Sequence, residues 1–297
     1  MKQIAIIAPT ASGKTALSID IAKQTNSIIL SLDSLSVYKY INIASAKPTI
    51  QEREGIKHFG IDEIEPDEDF DVIKFLNCYN KAVDFAKNNN KNLIIVGGTG
   101  FYLKMLLEGI SKDIPINQET TIWVEKQLQD HHKAYNLLKK LDPSYMKKIQ
   151  PNDIYRVKKA LEIYKQTSLT PTQYFEQNPK TPIAKDLKLF EIIWDPNQLR
   201  KRIEQRTKIM IKQGIIDEVI ELEKNYTREP NCMSSIGISE TLQYLDGKIN
   251  KLQLEELITI HTAQLAKRQR TFNRNQFNNI QTKNLLKDLK KDILKVF

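Results

Sequence analysis

The sequence predicts an α/β fold in which a parallel β-sheet is flanked by helices and interrupted by an all-helical inserted domain. Short apolar runs at residues 4–8, 28–32 and 92–96 alternate with helical patterns, and the strand pattern resumes at residues 187–194. Alternation of this kind is typical of parallel sheets that helices cover on both faces. The ligands of such sheets bind at the carboxyl ends of the strands.

The middle of the chain has a different pattern. Residues 113–185 show helical periodicity with Pro, Asn and Asp at the breaks, and they contain no strand candidate. One predicted helix there has an apolar stripe that includes Ile154 and Val157. We therefore predict a sheet-containing core made of residues 1–112 and 186–297, with a helical insertion between them.

The first apolar run leads directly into the pattern A-x-x-x-x-G-K-T, which a helical pattern follows. In such a loop the peptide N–H groups and the positive end of the next helix face a phosphate. Lys14 can reach terminal phosphate oxygens, and the Thr15 hydroxyl can hold Mg²⁺. The predicted core is therefore a P-loop NTPase-like sheet. The predicted phosphate-binding residues are Ala8, Pro9, Thr10, Ala11, Ser12, Gly13, Lys14 and Thr15.

Two further polar segments follow predicted strands. Asp33 comes directly after the run at residues 28–32, and Gly97-Gly98-Thr99-Gly100 follows the run at residues 92–96. Because the carboxyl ends of parallel strands share one edge of a sheet, we expect Asp33 and Thr99 to lie beside the phosphate loop.

Charge and composition narrow the class of protein. The formal net charge of the 297-residue chain is +9, and residues 264–297 contain nine basic and two acidic side chains. This basic segment fits either a polyanion partner or a solvated helix surface. Cys78 and Cys232 form no C-x-x-C motif, which suits a reducing compartment, and no apolar run approaches the length of a membrane span. We expect a cytoplasmic monomer with no membrane partner.

An ATPase or GTPase usually carries an acidic residue at the end of a second core strand, where it holds Mg²⁺. Here the candidate strand ends in Gly97-Gly98. A small-molecule kinase can instead use an acid after another strand, and Asp33 occupies such a position. A nucleotide-dependent kinase therefore remains an alternative.

The motifs together resemble those of the tRNA dimethylallyltransferases, also called tRNA isopentenyltransferases, over nearly the whole chain. The matching segments are APTASGKT (8–15), DSLSVYK (33–39), SAKP (45–48), VGGTGFYLKMLLEG (96–109), QPNDIYRVKKALE (150–162), RIEQR (202–206) and QLAKRQRTFNR (264–274). The chain departs from the usual family pattern at Ser36, at Gly237-Ile238-Ser239 and at Phe272.

The resemblance implies transfer of a dimethylallyl group from dimethylallyl diphosphate to N6 of the adenosine 3′ of the anticodon in tRNA, with Mg²⁺ and release of diphosphate. The phosphate loop would then hold the leaving group. Asp33 matches the general base of the family. Thr15 and Arg206 match residues that handle the diphosphate and its metal.

The resemblance also implies contacts with the anticodon stem-loop of the tRNA. These contacts fall in four places. They are residues 33–36, Thr99, residues 155–159 of the insertion and residues 267–274 of the basic C-terminal segment. The implied residues are Asp33, Ser34, Leu35, Ser36, Thr99, Tyr155, Arg156, Val157, Lys158, Lys159, Lys267, Arg268, Gln269, Arg270, Thr271, Phe272, Asn273 and Arg274.

Besides the kinase, two other functions remain as alternatives. Prenyl transfer to a free adenine nucleotide would use the same loop but needs neither the insertion nor the basic end. A non-catalytic RNA-binding protein would keep the fold without using a prenyl donor.

Overall fold

The computed structural model describes all residues from Met1 to Phe297. The chain forms two compact units, of which the first comprises Met1–Leu106 and Ala184–Phe297 and the second comprises Leu107–Ile183. No helix combines the length and the apolar character that crossing a bilayer requires.

The first unit contains a six-stranded, entirely parallel sheet, which confirms the predicted fold class. In chain order its strands are β1 (Gln3–Ile7), β2 (Ser27–Leu32), β3 (His58–Phe59), β4 (Asn92–Gly97), β5 (Lys188–Ile192) and β6 (Ile280–Lys283). Their order across the sheet is β3-β2-β4-β1-β5-β6. β1 is therefore a central strand, and the loop that follows it lies between the ends of β4 and β5.

Thirteen α-helices accompany the sheet. In chain order they are α1 (Lys14–Gln24), α2 (Val72–Asn88), α3 (Gly100–Glu108), α4 (Gln118–Leu128), α5 (His131–Leu141), α6 (Pro143–Met146), α7 (Ile154–Thr167), α8 (Pro171–Gln177), α9 (Pro196–Gln213), α10 (Ile215–Tyr226), α11 (Ile238–Leu245), α12 (Lys251–Gln276) and α13 (Leu286–Leu294).

The central strands are buried on both faces. Ile4 and Ile6 of β1 and Ile94 of β4 are fully inaccessible, as a parallel sheet with helices on each side requires. Edge strands β3 and β6 were not predicted. β3 has only two residues, and β6 is the polar segment IQTK in which no residue is fully buried, so neither carries an apolar strand pattern.

The second unit is helical, from α4 to α8, and has its own apolar cluster. Val157 and Leu161 of α7 are fully buried in this cluster. Asp142 caps α6 and also accepts hydrogen bonds from the Thr172 amide and hydroxyl at 2.7 and 2.8 Å. The predicted stripe on α7 is corrected at its first position, because Ile154 is 56% exposed at the start of the helix.

Gly97, at the end of β4, has no room for a side chain. A Cβ on this residue would lie 2.1 Å from the Leu32 carbonyl oxygen, which accepts the amides of Gly98 and Thr99. We expect Gly97→Ala to push β4 away from β2 and to lower the free energy of unfolding by about 3 kcal/mol or more. Urea unfolding monitored by circular dichroism measures this loss.

Gly55→Ala is the matched control. Gly55 has a φ of +76° and no atom near its hypothetical Cβ, so only left-handed backbone strain of about 1 kcal/mol is expected. Equal losses in the two variants would contradict the tight approach of β4 to β2.

Candidate functional site

The phosphate loop connects the end of β1 to the start of α1. Ala11 and Gly13 have φ values of +61° and +86°, which turn the loop around its centre. The loop carbonyls are held from outside, because Arg202 Nε donates to the Ala11 oxygen at 2.7 Å and Trp194 Nε1 donates to the Ser12 oxygen at 3.1 Å. The amides of residues 11–13 donate to no protein acceptor, so they are available to an anion.

Two cations lie beside this loop. Burial and, to a smaller extent, the neighbouring Arg206 lower the pKa of Lys14 to about 8, against the opposing effect of Asp33. Burial also lowers the pKa of Arg206, again against the opposing effect of Asp33. Arg206 Nη1 donates to Thr10 Oγ1 at 3.0 Å. Two partly dehydrated cations that share one carboxylate form a strong site for an anion.

Asp33 follows β2 and is fixed by its own turn. Its Oδ1 atom accepts the amides of Leu35 and Ser36 at 2.8 and 3.1 Å. These two bonds occupy Oδ1 only, and the residue lines the same cavity as Lys14. The carboxylate is therefore held in one orientation with its second oxygen free of these contacts.

A cavity of about 400 Å³ joins these groups to an apolar wall. Its polar side contains Thr10, Lys14, Asp33 and Arg206. The apolar lining residues are Leu35, Ala44, Ile203, Met210, Ile236, Ile258 and Leu265. A ligand with an anionic end and a small apolar end fits this distribution. A second cavity of about 320 Å³ lies on the loop at Gly13, Lys14, Thr15 and Arg202.

The structure brings many of the predicted site residues together. Most belong to the phosphate loop, the segment after β2, or the glycine turn after β4. The predicted residues that line the larger cavity are Thr10, Lys14, Asp33, Ser34, Leu35, Thr99, Arg206 and Gln269. Thr15 is exposed and lines the second cavity. Predicted RNA contacts on the surface are Ser34, Tyr155, Arg156, Lys158, Lys159, Lys267, Arg268, Thr271 and Arg274.

Four of the predicted contact residues have buried side chains. Ala8 is buried, and its amide donates to the Gly97 oxygen at 3.2 Å. The Ser36 hydroxyl is buried against Ser31 and Gly60. Val157 lies inside the helical cluster of the second unit. The buried Asn273 Nδ2 donates to Glu191 Oε1 at 2.9 Å.

Arg202, Trp194 and Lys47 support the site but were not predicted as site residues. Arg202 lies 4.6 Å from the Trp194 ring centre and contacts the loop, and its i, i+4 spacing from Arg206 was the available signal. The buried Lys47 donates to Asp62 Oδ1 at 2.5 Å and to the Tyr38 oxygen at 2.9 Å. Lys47 thereby fixes the position of the segment that follows Asp33. The SAKP motif at residues 45–48 was the feature of the sequence that could have indicated this role.

Comparison with known proteins identifies the family. The family model described as IPP transferase matches residues 36–276. The chain belongs to the IPP transferase family. It is 61% identical over 297 residues to the tRNA dimethylallyltransferase of Aliarcobacter butzleri, with 100% of this chain and 99% of the relative covered. It is 52% identical over 295 residues to the tRNA dimethylallyltransferase of Sulfurovum sp., with coverage of 99% and 98%.

Solved structures agree with this membership. A tRNA delta(2)-isopentenylpyrophosphate transferase from Staphylococcus epidermidis matches with a TM-score of 0.70 and 32% identity, over 99% of this chain and 97% of that chain. A eukaryotic dimethylallyltransferase acting on tRNA matches with a TM-score of 0.81 and 29% identity, over 92% of this chain and 70% of that chain. The predicted family is confirmed.

The pKa of Lys14 predicts how this member of the IPP transferase family binds inorganic diphosphate as pH changes. A bound anion favours the charged ammonium, so above a pKa of about 8 binding must take up a proton. We expect the dissociation constant, measured by calorimetry, to rise above pH 8 with a slope approaching about tenfold per pH unit.

Lys14→Arg provides the reference for this measurement, since its guanidinium stays charged throughout and the titration of diphosphate itself is common to both proteins. The wild-type profile should be steeper than that of Lys14→Arg. Parallel profiles would show that Lys14 is already fully charged in the free protein.

Proposed function

We propose that the protein is a tRNA dimethylallyltransferase, which transfers a dimethylallyl group from dimethylallyl diphosphate to N6 of the adenosine 3′ of the anticodon and releases diphosphate. It acts as a monomer in the cytoplasm. One observation carries the proposal. A single cavity combines Lys14 of the phosphate loop, Arg206 beside that loop, an apolar wall and the fixed carboxylate of Asp33.

In this reaction the phosphate loop holds a leaving group. Cleavage of the allylic C–O bond places negative charge on the departing diphosphate. The free amides of residues 11–13, together with Lys14 and Arg206, stabilise this charge more in the transition state than in the bound donor. The apolar wall that includes Ile203 and Met210 accommodates the prenyl carbons.

The donor set of the loop fits Mg²⁺. This ion prefers oxygen ligands, keeps several waters and binds largely through substrate phosphates with one or two protein oxygens. Thr15 supplies a hydroxyl at the mouth of the loop, and no cluster of three His, Cys, Asp or Glu side chains offers a complete protein cage. When bound, Mg²⁺ neutralises charge on the diphosphate oxygens.

The acceptor amine requires a base. The lone pair of an exocyclic adenine amine is delocalised into the ring, so its attack is weak unless a proton is accepted as the new bond forms. Asp33 is our assignment for this role. Its Oδ1 is engaged by two backbone amides, which leaves Oδ2 to accept the proton.

The tRNA must present a base that is normally stacked in the anticodon loop. Extrusion of one nucleotide costs a few kcal/mol, which contacts with the surrounding RNA offset. Exposed cations on α12, among them Lys267 and Arg268, are our assignment for the RNA backbone. In the second unit, α7 presents Tyr155, which is 68% exposed, beside Arg156 and Lys158. An exposed aromatic ring beside cations suits a nucleic acid surface.

The variant Asp33→Asn distinguishes the role of Asp33 as a general base from its role in stabilising the turn that follows it. The asparagine keeps an oxygen that can accept the Leu35 and Ser36 amides but cannot take up a proton at neutral pH. We expect kcat to fall by about 10²–10⁴-fold while the dissociation constant for tRNA changes by less than about twofold. Single-turnover prenylation and filter binding measure the two quantities.

Asp33→Ala is the companion variant, because it removes both the base and the amide acceptor. We expect it to lose kcat to a similar degree and to weaken tRNA binding as well. If Asp33→Asn loses turnover and tRNA affinity equally, Asp33 is a structural residue.

The proposed reaction has a direct assay. Purified protein is incubated with Mg²⁺, dimethylallyl diphosphate and unmodified tRNA, and the nucleosides are analysed by mass spectrometry. An adenosine heavier by one C5 unit is expected, and AMP should be a much poorer acceptor than tRNA. Transfer of the γ-phosphate of ATP to a small acceptor would favour a kinase. If the protein binds tRNA in a salt-dependent way but forms no product, the result would favour a non-catalytic RNA-binding protein.

A further inference from the structure

Gln269 belongs to the basic segment of α12, between Arg268 and Arg270, but its side chain turns towards the phosphate loop. Gln269 Oε1 accepts a hydrogen bond from the Thr10 amide at 3.1 Å. Gln269 lines the larger cavity together with Ile258, Thr262 and Leu265, which share its face of α12. This contact differs from the RNA contact that the family resemblance implies for the residue.

The glycine turn after β4 makes room for the Gln269 amide. A Cβ on Gly98 would lie 2.4 Å from Gln269 Nε2 and 3.1 Å from its Cδ atom. The amide therefore lies between the phosphate loop and Gly98, and both of its ends are confined.

Thr10 connects this amide to the cation that faces the ligand. Its backbone N–H is held by Gln269, and its hydroxyl accepts the bond from Arg206 Nη1 at 3.0 Å. That is the one hydrogen bond that the Arg206 guanidinium donates to another protein group. The remaining guanidinium donors are available to an anion, so their direction depends on Thr10.

We infer that Gln269 is a positioning residue for the diphosphate site. By fixing Thr10, it fixes the phosphate loop and the Arg206 guanidinium in the geometry that receives the departing diphosphate. The inference rests on the proposed function for the identity of the group attached to diphosphate, but diphosphate binding itself can be measured without tRNA or a prenyl donor.

The test compares Gln269→Met with Gln264→Met. Methionine keeps the length of glutamine but cannot accept the Thr10 amide, and Gln264 is exposed on the same helix. Calorimetric titration with inorganic diphosphate and Mg²⁺ should show about three- to tenfold weaker binding to Gln269→Met, the range expected for one hydrogen bond to a neutral amide. Gln264→Met should bind as the wild type does. Unchanged diphosphate binding in Gln269→Met would overturn the inference.

Binding of tRNA distinguishes positioning from RNA contact. We expect Gln269→Met to leave the tRNA dissociation constant and its salt dependence unchanged, whereas the Michaelis constant for the prenyl donor rises. Weaker tRNA binding with normal diphosphate affinity would assign Gln269 to the RNA and reject its positioning role.

Gly98→Ala tests the same contact without altering Gln269. Its Cβ would displace the flexible amide, so diphosphate binding should weaken to a similar extent as in Gln269→Met. In a Thr10→Val background, which removes the hydroxyl acceptor of Arg206, Gln269→Met should cost less than it does alone. Simple additivity would reject the connection through Thr10.

The two proposals can fail separately. If wild-type protein yields no prenylated adenosine but Gln269→Met still weakens diphosphate binding, the proposed function is wrong and the positioning role stands. If wild-type protein forms the prenylated adenosine normally and Gln269→Met binds diphosphate as the wild type does, the proposed function stands and the positioning role is wrong.

Discussion

The site is organised by the burial of two cations beside one carboxylate. Lys14 and Arg206 are half-buried in the cavity wall, where burial lowers the pKa of each and Asp33 opposes part of the shift. Removing a charge from water is costly unless it is paired, so the free protein holds an unfavourable excess of positive charge in this cavity. In the proposed reaction a bound diphosphate would relieve this excess, and the interaction would grow as negative charge develops on the leaving group.

The sequence predicted those parts of the site that lie in contiguous segments. β1, the phosphate loop and the start of α1 form one unbroken stretch, so a local pattern identifies them. The placement of Asp33 and Thr99 beside the loop followed from one topological rule, since parallel strands present their carboxyl ends at one edge. The structure confirms the parallel sheet, in which β4 pairs with β1 and β2 pairs with the other side of β4.

Contacts between residues far apart in the chain could not be predicted from local sequence patterns. Gln269 and Thr10 are separated by 259 positions, and Arg202 and Ala11 by 191, so no local pattern pairs them. Motif transfer also assigned every residue of a helical segment to the RNA, although a helix turns successive side chains to different sides. Val157 and Asn273 face inward for this reason. The sequence analysis did not predict strands β3 and β6, because edge strands need little apolar character.

The glycines at and just after the end of β4 explain how a phosphate loop comes to lack the acidic partner found in nucleotide hydrolases. Gly97 admits the Leu32 carbonyl, Gly98 admits the Gln269 amide, and a Cβ on Gly100 would lie 2.7 Å from the Phe272 ring. A carboxylate side chain at residue 97 or 98 would collide with β2 or α12. The space that an acid would need at this strand end is filled by β2 and by α12, the helix that also carries the exposed cations assigned to RNA. In the proposed reaction, Mg²⁺ would then be held largely by ligand oxygens and Thr15, which suits a diphosphate that departs intact better than a nucleotide that is hydrolysed.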